Sequence, residues 1–143
     1  MNEVIATSAI LLSVFMQAAV PSPLRSVEKG AESRVEVQRQ ATARNAAEWT
    51  SLWHAHSWDR PEPAIDFSRE MVVGVFMGSR PTAGFAVEIV GYHDSGDGVV
   101  VQYREMTPGR DSLTAQIIIS PYHLVAIPKH GGMVTFEKVP STK

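Results

Sequence analysis

MVVGVFMGSRPTAGFAVEIVGYHDSGDGVVVQYRE (Met71–Glu105) decides the fold. Met71 to Met77 is rich in apolar and β-branched residues and reads as a strand. Phe85 to Tyr92 alternates, with Phe85, Val87 and Ile89 on one face. His93 to Gly98 is turn chemistry, and Val99 to Glu105 is a third strand. Downstream, Thr107 to Asp111 is another turn. Leu113–Ser120, His123–Ile127 and Met133–Lys138 then continue the strand pattern. Pro121 and Pro128 punctuate these runs, since proline does not sit in a central ladder. Upstream, Ser33 to Arg39 alternates polar and apolar residues and predicts a strand with Val35 and Val37 on one face.

One helix interrupts the strands. Asn45 is placed as its N-cap and Glu48 as the reciprocal partner of a capping box. Trp49, Leu52, Trp53 and His56 follow at i, i+3, i+4 and i+7, a stripe that faces a core. Arg60-Pro61-Glu62-Pro63 then forms a stiff extended connection. Strands at a spacing of about 12 residues with turns between them predict a mainly β, α+β domain. The expected architecture is an antiparallel β-sandwich or open barrel with one packed α-helix.

Composition narrows the function. The chain has 143 residues, 44% hydrophobic and 20% charged, which suits one globular domain rather than a disordered chain. Lys and Arg total 13 against 15 Asp and Glu, so no basic excess favours a nucleic-acid partner. Cysteine is absent, which excludes disulfides, thiolate metal sites, a Cys nucleophile and a lipidated N-terminal Cys. Val4 to Val20 carries no charge and is mostly apolar, with Ala18 and Ala19 near its end. Residues 1–20 are expected to be a secretory signal, with a membrane anchor or a core helix as the other readings. Residues 21–32 are expected to be a polar linker, and residues 33–143 the β-rich domain. The expected location is periplasmic or secreted.

The chemical motifs are sparse. His54 and His56 stand at i and i+2 on the helix, about 200° apart, so they cannot share a metal. His93, His123 and His130 have no carboxylate or hydroxyl partner in local spacing, and there is no nucleophile elbow around a serine. No cofactor and no metal site is expected. The segment that stands out is Gly78-Ser-Arg-Pro-Thr-Ala-Gly-Phe85, between two strands. Glycines bracket it and Pro81 stiffens it, so it loses little freedom on binding. Arg80 offers a planar fork at an interface. The plain alternative is a connection chosen only for turn geometry.

From Ala64 to Ile89, with its Asp66-Phe67 pair, its apolar strand and its Gly-Ser-Arg-Pro-Thr-Ala-Gly-Phe loop, the chain resembles the PrcB-like protease-complex C-terminal domain family. Ser120-Pro-Tyr-His123, Ile127-Pro-Lys129 and the closing strand with Phe136 also fit, as does the Trp49 to Trp53 helix. Ala83 and Phe85 stand where the family pattern has Gly and Tyr, and without cysteine this chain departs from the family's lipoproteins. The resemblance implies a non-enzymatic accessory subunit that associates with and stabilises a secreted subtilisin-like protease. Arg80 to Phe85 is also similar to the wedge loop of chagasin-like cysteine-protease inhibitors. Together these imply a protein-binding domain, with a protease as partner. Ser79, Arg80, Pro81, Thr82, Gly84 and Phe85 would carry the contact. The rival readings are a hydrolase or small-ligand binder using His123, Tyr122 or Arg104, and a purely structural envelope protein.

Overall fold

The computed structural model describes residues 24–141. The expected signal or anchor over residues 1–20 lies outside them. Among the described residues no helix is long and apolar enough to cross a membrane. The chain folds in the order β1 (Arg25–Gly30), β2 (Arg39–Ala43), α1 (Ala46–His56), β3 (Glu70–Phe76), β4 (Ala86–Ser95), β5 (Gly98–Met106), β6 (Tyr122–Pro128) and β7 (Met133–Lys138). The described residues are mainly β, with two sheets and one helix. A four-stranded sheet runs β1-β6-β3-β2 and a three-stranded sheet runs β4-β5-β7.

The two sheets and the helix form three layers. Met71, Val73 and Val75 of β3 and Val125 and Ile127 of β6 face the second sheet, where they meet Val87, Ile89, Val99, Val101 and Tyr103. Val72, Phe76, Tyr122 and Leu124 point the other way, onto Trp49, Leu52 and Trp53 of α1. β3 and β6 are therefore covered on both faces, which explains their nearly unbroken apolar sequences. The second sheet has one open face, and β5 alternates accordingly. Helix α1 starts where its cap chemistry places it. Asn45 Oδ1 accepts from the Glu48 N–H at 2.9 Å. Glu48 reaches back one residue beyond the cap, to the Arg44 N–H. All four stripe residues are buried. The Trp49 and Trp53 indole N–H groups donate to the Pro63 and Arg60 carbonyls, tying the proline-rich connection to the helix.

Four expectations need correction. Residues 25–30 are not linker but strand β1, paired antiparallel with β6. Its hold on the sheet is polar: Ser26 meets His123, Glu28 meets His56 and Tyr122, and Arg25 bonds Glu70, so hydrophobic patterning does not reveal it. Residues 33–38 are irregular, and the strand begins at Arg39. The Ser33, Arg34 and Glu36 backbones bond Ser120, His56 and Ser79 instead of a neighbouring strand. Residues 113–119 form no strand either, because their partners are single positions, Ala83 and Arg80, in a loop. Finally, β7 pairs parallel with β5. The chain visits the other sheet as β6 before returning, so it re-enters in the direction of β5. Gly132 allows this return: a Cβ there would lie 1.5 Å from the Asp97 carbonyl oxygen.

Candidate functional site

The loop from Gly78 to Phe85 leaves the end of β3 and enters β4, crossing between the two sheets. It is strapped on two sides. The Ser79 N–H donates to the Glu36 carbonyl at 2.9 Å. Arg80 exchanges both backbone bonds with Ile119, at 2.7 and 3.0 Å, and the Ala83 N–H reaches the Ala115 carbonyl at 3.0 Å. Gly78 has φ +79°, and a Cβ there would lie 2.8 Å from the Gln38 nitrogen, so the strap from residues 36–38 needs glycine. Gly84 also has positive φ and lies against Pro108 and Thr114.

These contacts give each loop residue a defined place. Ser79, Pro81 and Gly84 are exposed. Thr82 is half-buried and its hydroxyl donates to the Ala83 carbonyl. Phe85 turns inward and packs against the core between the sheets. The Arg80 guanidinium lies over the Phe85 ring, 5.8 Å from its centroid, and its Nε is buried without a hydrogen-bond partner. The arch thus presents Ser79, Pro81 and Gly84 to solvent, while Phe85 anchors it from beneath.

Beside the arch lies a surface that the sequence reading places in a strand. Leu113, Ile117 and Ile118 are exposed, Ile118 by 79%. Val37, next to the strap at Gly78, is 77% exposed. Chain contacts bring these residues to the arch, since Ala115 and Ile119 bond Ala83 and Arg80. Several exposed aliphatic side chains at one end of a domain mark an interaction surface. In sequence, the three consecutive isoleucines of residues 117–119 read as buried strand, and no local signal distinguishes the two cases.

Tyr122 stands apart from His123 and Arg104, which both lie near Glu88. Tyr122 and His123 are neighbours on β6 and point to opposite faces. The Tyr122 hydroxyl donates to Glu28 of β1, on the helix side of the sheet. The His123 Nδ1 accepts the Ile89 N–H at 2.9 Å, so its Nε2 carries the proton and meets Ser26 Oγ at 2.9 Å. Burial, with the nearby Lys29 charge, pushes His123 down to about 4, against the opposing charge of Glu88. Arg104 pairs with Glu88, 2.7 Å away.

A second polar cluster joins Ser33, His56, Glu28, Tyr122 and Arg60. His56 Nδ1 lies 2.8 Å from Ser33 Oγ, and Nε2 lies 3.0 Å from Glu28 Oε1. The composition resembles a nucleophile–base–acid row, but the His56 ring is completely buried and packs, tilted by 57°, with its centroid 4.1 Å from that of the Tyr122 ring. Ser33 Oγ also accepts the Val35 N–H. Arg60 bonds the same Glu28 oxygen at 2.8 Å. Burial lowers His56 and outweighs the opposing pull of Glu28. Burial by itself would raise Glu28, but hydrogen bonds from Tyr122 and His56 and the Arg60 charge take it below the ordinary carboxylate value. Tyr122 is pushed up to about 12 by burial and by its bond to Glu28. The cluster locks β1, α1 and β6 together. Among the described residues no group of three His, Asp or Glu side chains could hold a metal ion.

Neither a curated protein nor a solved structure matches the chain. The family comparison supports the PrcB-like resemblance and not the chagasin-like one. Residues 71–128, the span from β3 through β6 that includes the arch and the segment strapped to it, match the family described as PrcB C-terminal.

Proposed function

We propose that this is an exported, non-enzymatic protein-binding domain that serves as the accessory partner of a secreted protease. The observation that carries the reading is the end of the domain where the strapped arch stands beside exposed Leu113, Ile117 and Ile118. The PrcB C-terminal match supports association with a protease complex. The apolar stretch from Val4 to Val20 supports export. A stiff loop on a rigid sandwich binds with little ordering cost, and an apolar rim beside it supplies desolvation energy. The polar clusters are consumed by internal bonds, which supports a binding role over a catalytic one.

Affinity capture from envelope extract tests the proposal, using the wild-type chain, Arg80→Ala/Pro81→Gly, and Leu113→Ser/Ile118→Ser. A protease-containing complex is expected on the wild type and is expected to be lost from both variants. Equal recovery by all three chains would remove this end of the molecule as the contact.

A further inference from the structure

The arch is not the only feature suited to a partner. Strand β2 lies at the edge of the four-stranded sheet, paired only with β3. Among the described residues no backbone hydrogen bond outside that ladder reaches Arg39–Ala43. The other edge strands are blunted: β1 and β4 carry register shifts, and β7 ends at Lys138 just before Pro140. β2 has no bulge, no proline and no lysine, so its outer row of N–H and C=O groups remains a template for pairing.

A groove of about 530 Å³ runs between this edge and α1. Its floor and walls include Arg39 and Ala41 from the strand and Ala47, Glu48, Ser51 and Leu52 from the helix. Ala41 and Leu52 are buried, whereas Ala47 and Ser51 are exposed and too small to fill the space. An edge strand flanked by a helix is the geometry that accepts an extended peptide: main-chain bonds supply affinity and pockets for alternate side chains supply selectivity. The charges specify the occupant. Arg39 lies at the end of β2 nearest the arch, opposite Phe76, and directly follows the strap of residues 36–38. Glu48 lies in the first turn of α1, at the Ala43 end. Among the described residues neither side chain belongs to an ion pair.

We infer that the groove between β2 and α1 binds an extended segment of a partner protein as a fifth strand. That segment places an acidic residue at Arg39, small apolar residues over Ala41, Ala47 and Leu52, and a basic residue near Glu48. The inference rests on the protein-binding reading and adds a second contact continuous with the arch, so one partner can hold the arch with its surface and the groove with a tail.

Peptides selected from a display library of eight random residues, bound to the intact chain, test the inference. Enriched peptides are expected to carry an acidic residue toward one end and to shift the amide resonances of residues 39–43 and 47–52. They are expected to lose about tenfold or more in affinity against Ala47→Arg and against Ser51→Trp. Both substitutions sit on the exposed side of α1, and unchanged melting temperatures will show that the fold is kept. Methylating alternate peptide nitrogens is expected to abolish binding. Selected peptides that shift only residues 78–85 and 113–118, or no enrichment at all, would overturn the groove, and the capture experiment would then judge the protein-binding reading separately. Self-association abolished by Ser51→Trp would assign the edge to a second copy and overturn the partner segment.

Discussion

His123 provides a measurable link between burial and acid stability. Its ring is buried between the sheets, accepting the Ile89 N–H on one side and meeting Ser26 on the other. In the folded chain it is held neutral down to about 4, whereas in the unfolded chain it protonates near its ordinary value of 6.5. Between those two values the unfolded state binds the extra proton. Stability is therefore complete above pH 6.5 and falls as pH drops through the window toward 4. At pH 5 the unfolded form gains a factor of about 30, or about 2 kcal/mol, and the whole window is worth about 3 kcal/mol. Glu28 is also lowered and His56 shifts in the same direction as His123, so the residue's own share must be isolated. Urea unfolding, followed by the fluorescence of buried Trp49 and Trp53, supplies the free energies at pH 7.5 and pH 5.0. His123→Asn keeps an acceptor near the Nδ1 position and removes the titration. The wild-type midpoint is expected to fall by roughly 1 M urea or more, and the pH dependence of the variant is expected to be smaller by about 2 kcal/mol. Parallel pH dependences for the two chains, or a native His123 resonance that titrates near 6.5, would refute the reasoning.

The two glycines between β6 and β7 are expected to behave oppositely. Gly132→Ala drives a Cβ into the Asp97 carbonyl and should cost about 4 kcal/mol or more, whereas Gly131→Ala meets nothing within 4 Å and should change the thermal midpoint very little. Asn45→Ala removes the side chain that accepts the Glu48 N–H and should cost about 1 kcal/mol in chemical denaturation, while Asn45→Asp should restore most of it.

The parts of this fold that are legible in the sequence are those whose causes are local or doubly buried. The cap at Asn45 and the stripe from Trp49 to His56 involve neighbours within one helix, so periodicity places them correctly. β3 and β6 are unbroken apolar runs because layers cover both of their faces. The direction of β7 is not legible, since it depends on the chain having crossed to the other sheet and back. The arch is legible through its glycines and proline, but its straps come from residues 36–38 and 115–119, too distant in sequence for any spacing rule. The apolar surface next to it is not legible for the same reason: Leu113, Ile117 and Ile118 lie in a run that patterns as a strand but has no strand to join.

β1 shows why the remainder escapes a hydrophobic reading. Its sequence, RSVEKG, offers only Val27 to an apolar core. What holds it is polar and distant: Ser26 to His123 across 97 positions, Glu28 to His56 across 28, and Glu28 to Tyr122 across 94. Such bonds stabilise only when every buried group finds its partner in the correct protonation state. Both lowered histidines meet β1 side chains, so opening of this edge strand exposes the two rings that burial holds neutral. Hydrogen exchange at pH 5 should then show β1 opening at lower free energy than β3, because β3 is held on both faces by apolar contacts that do not titrate.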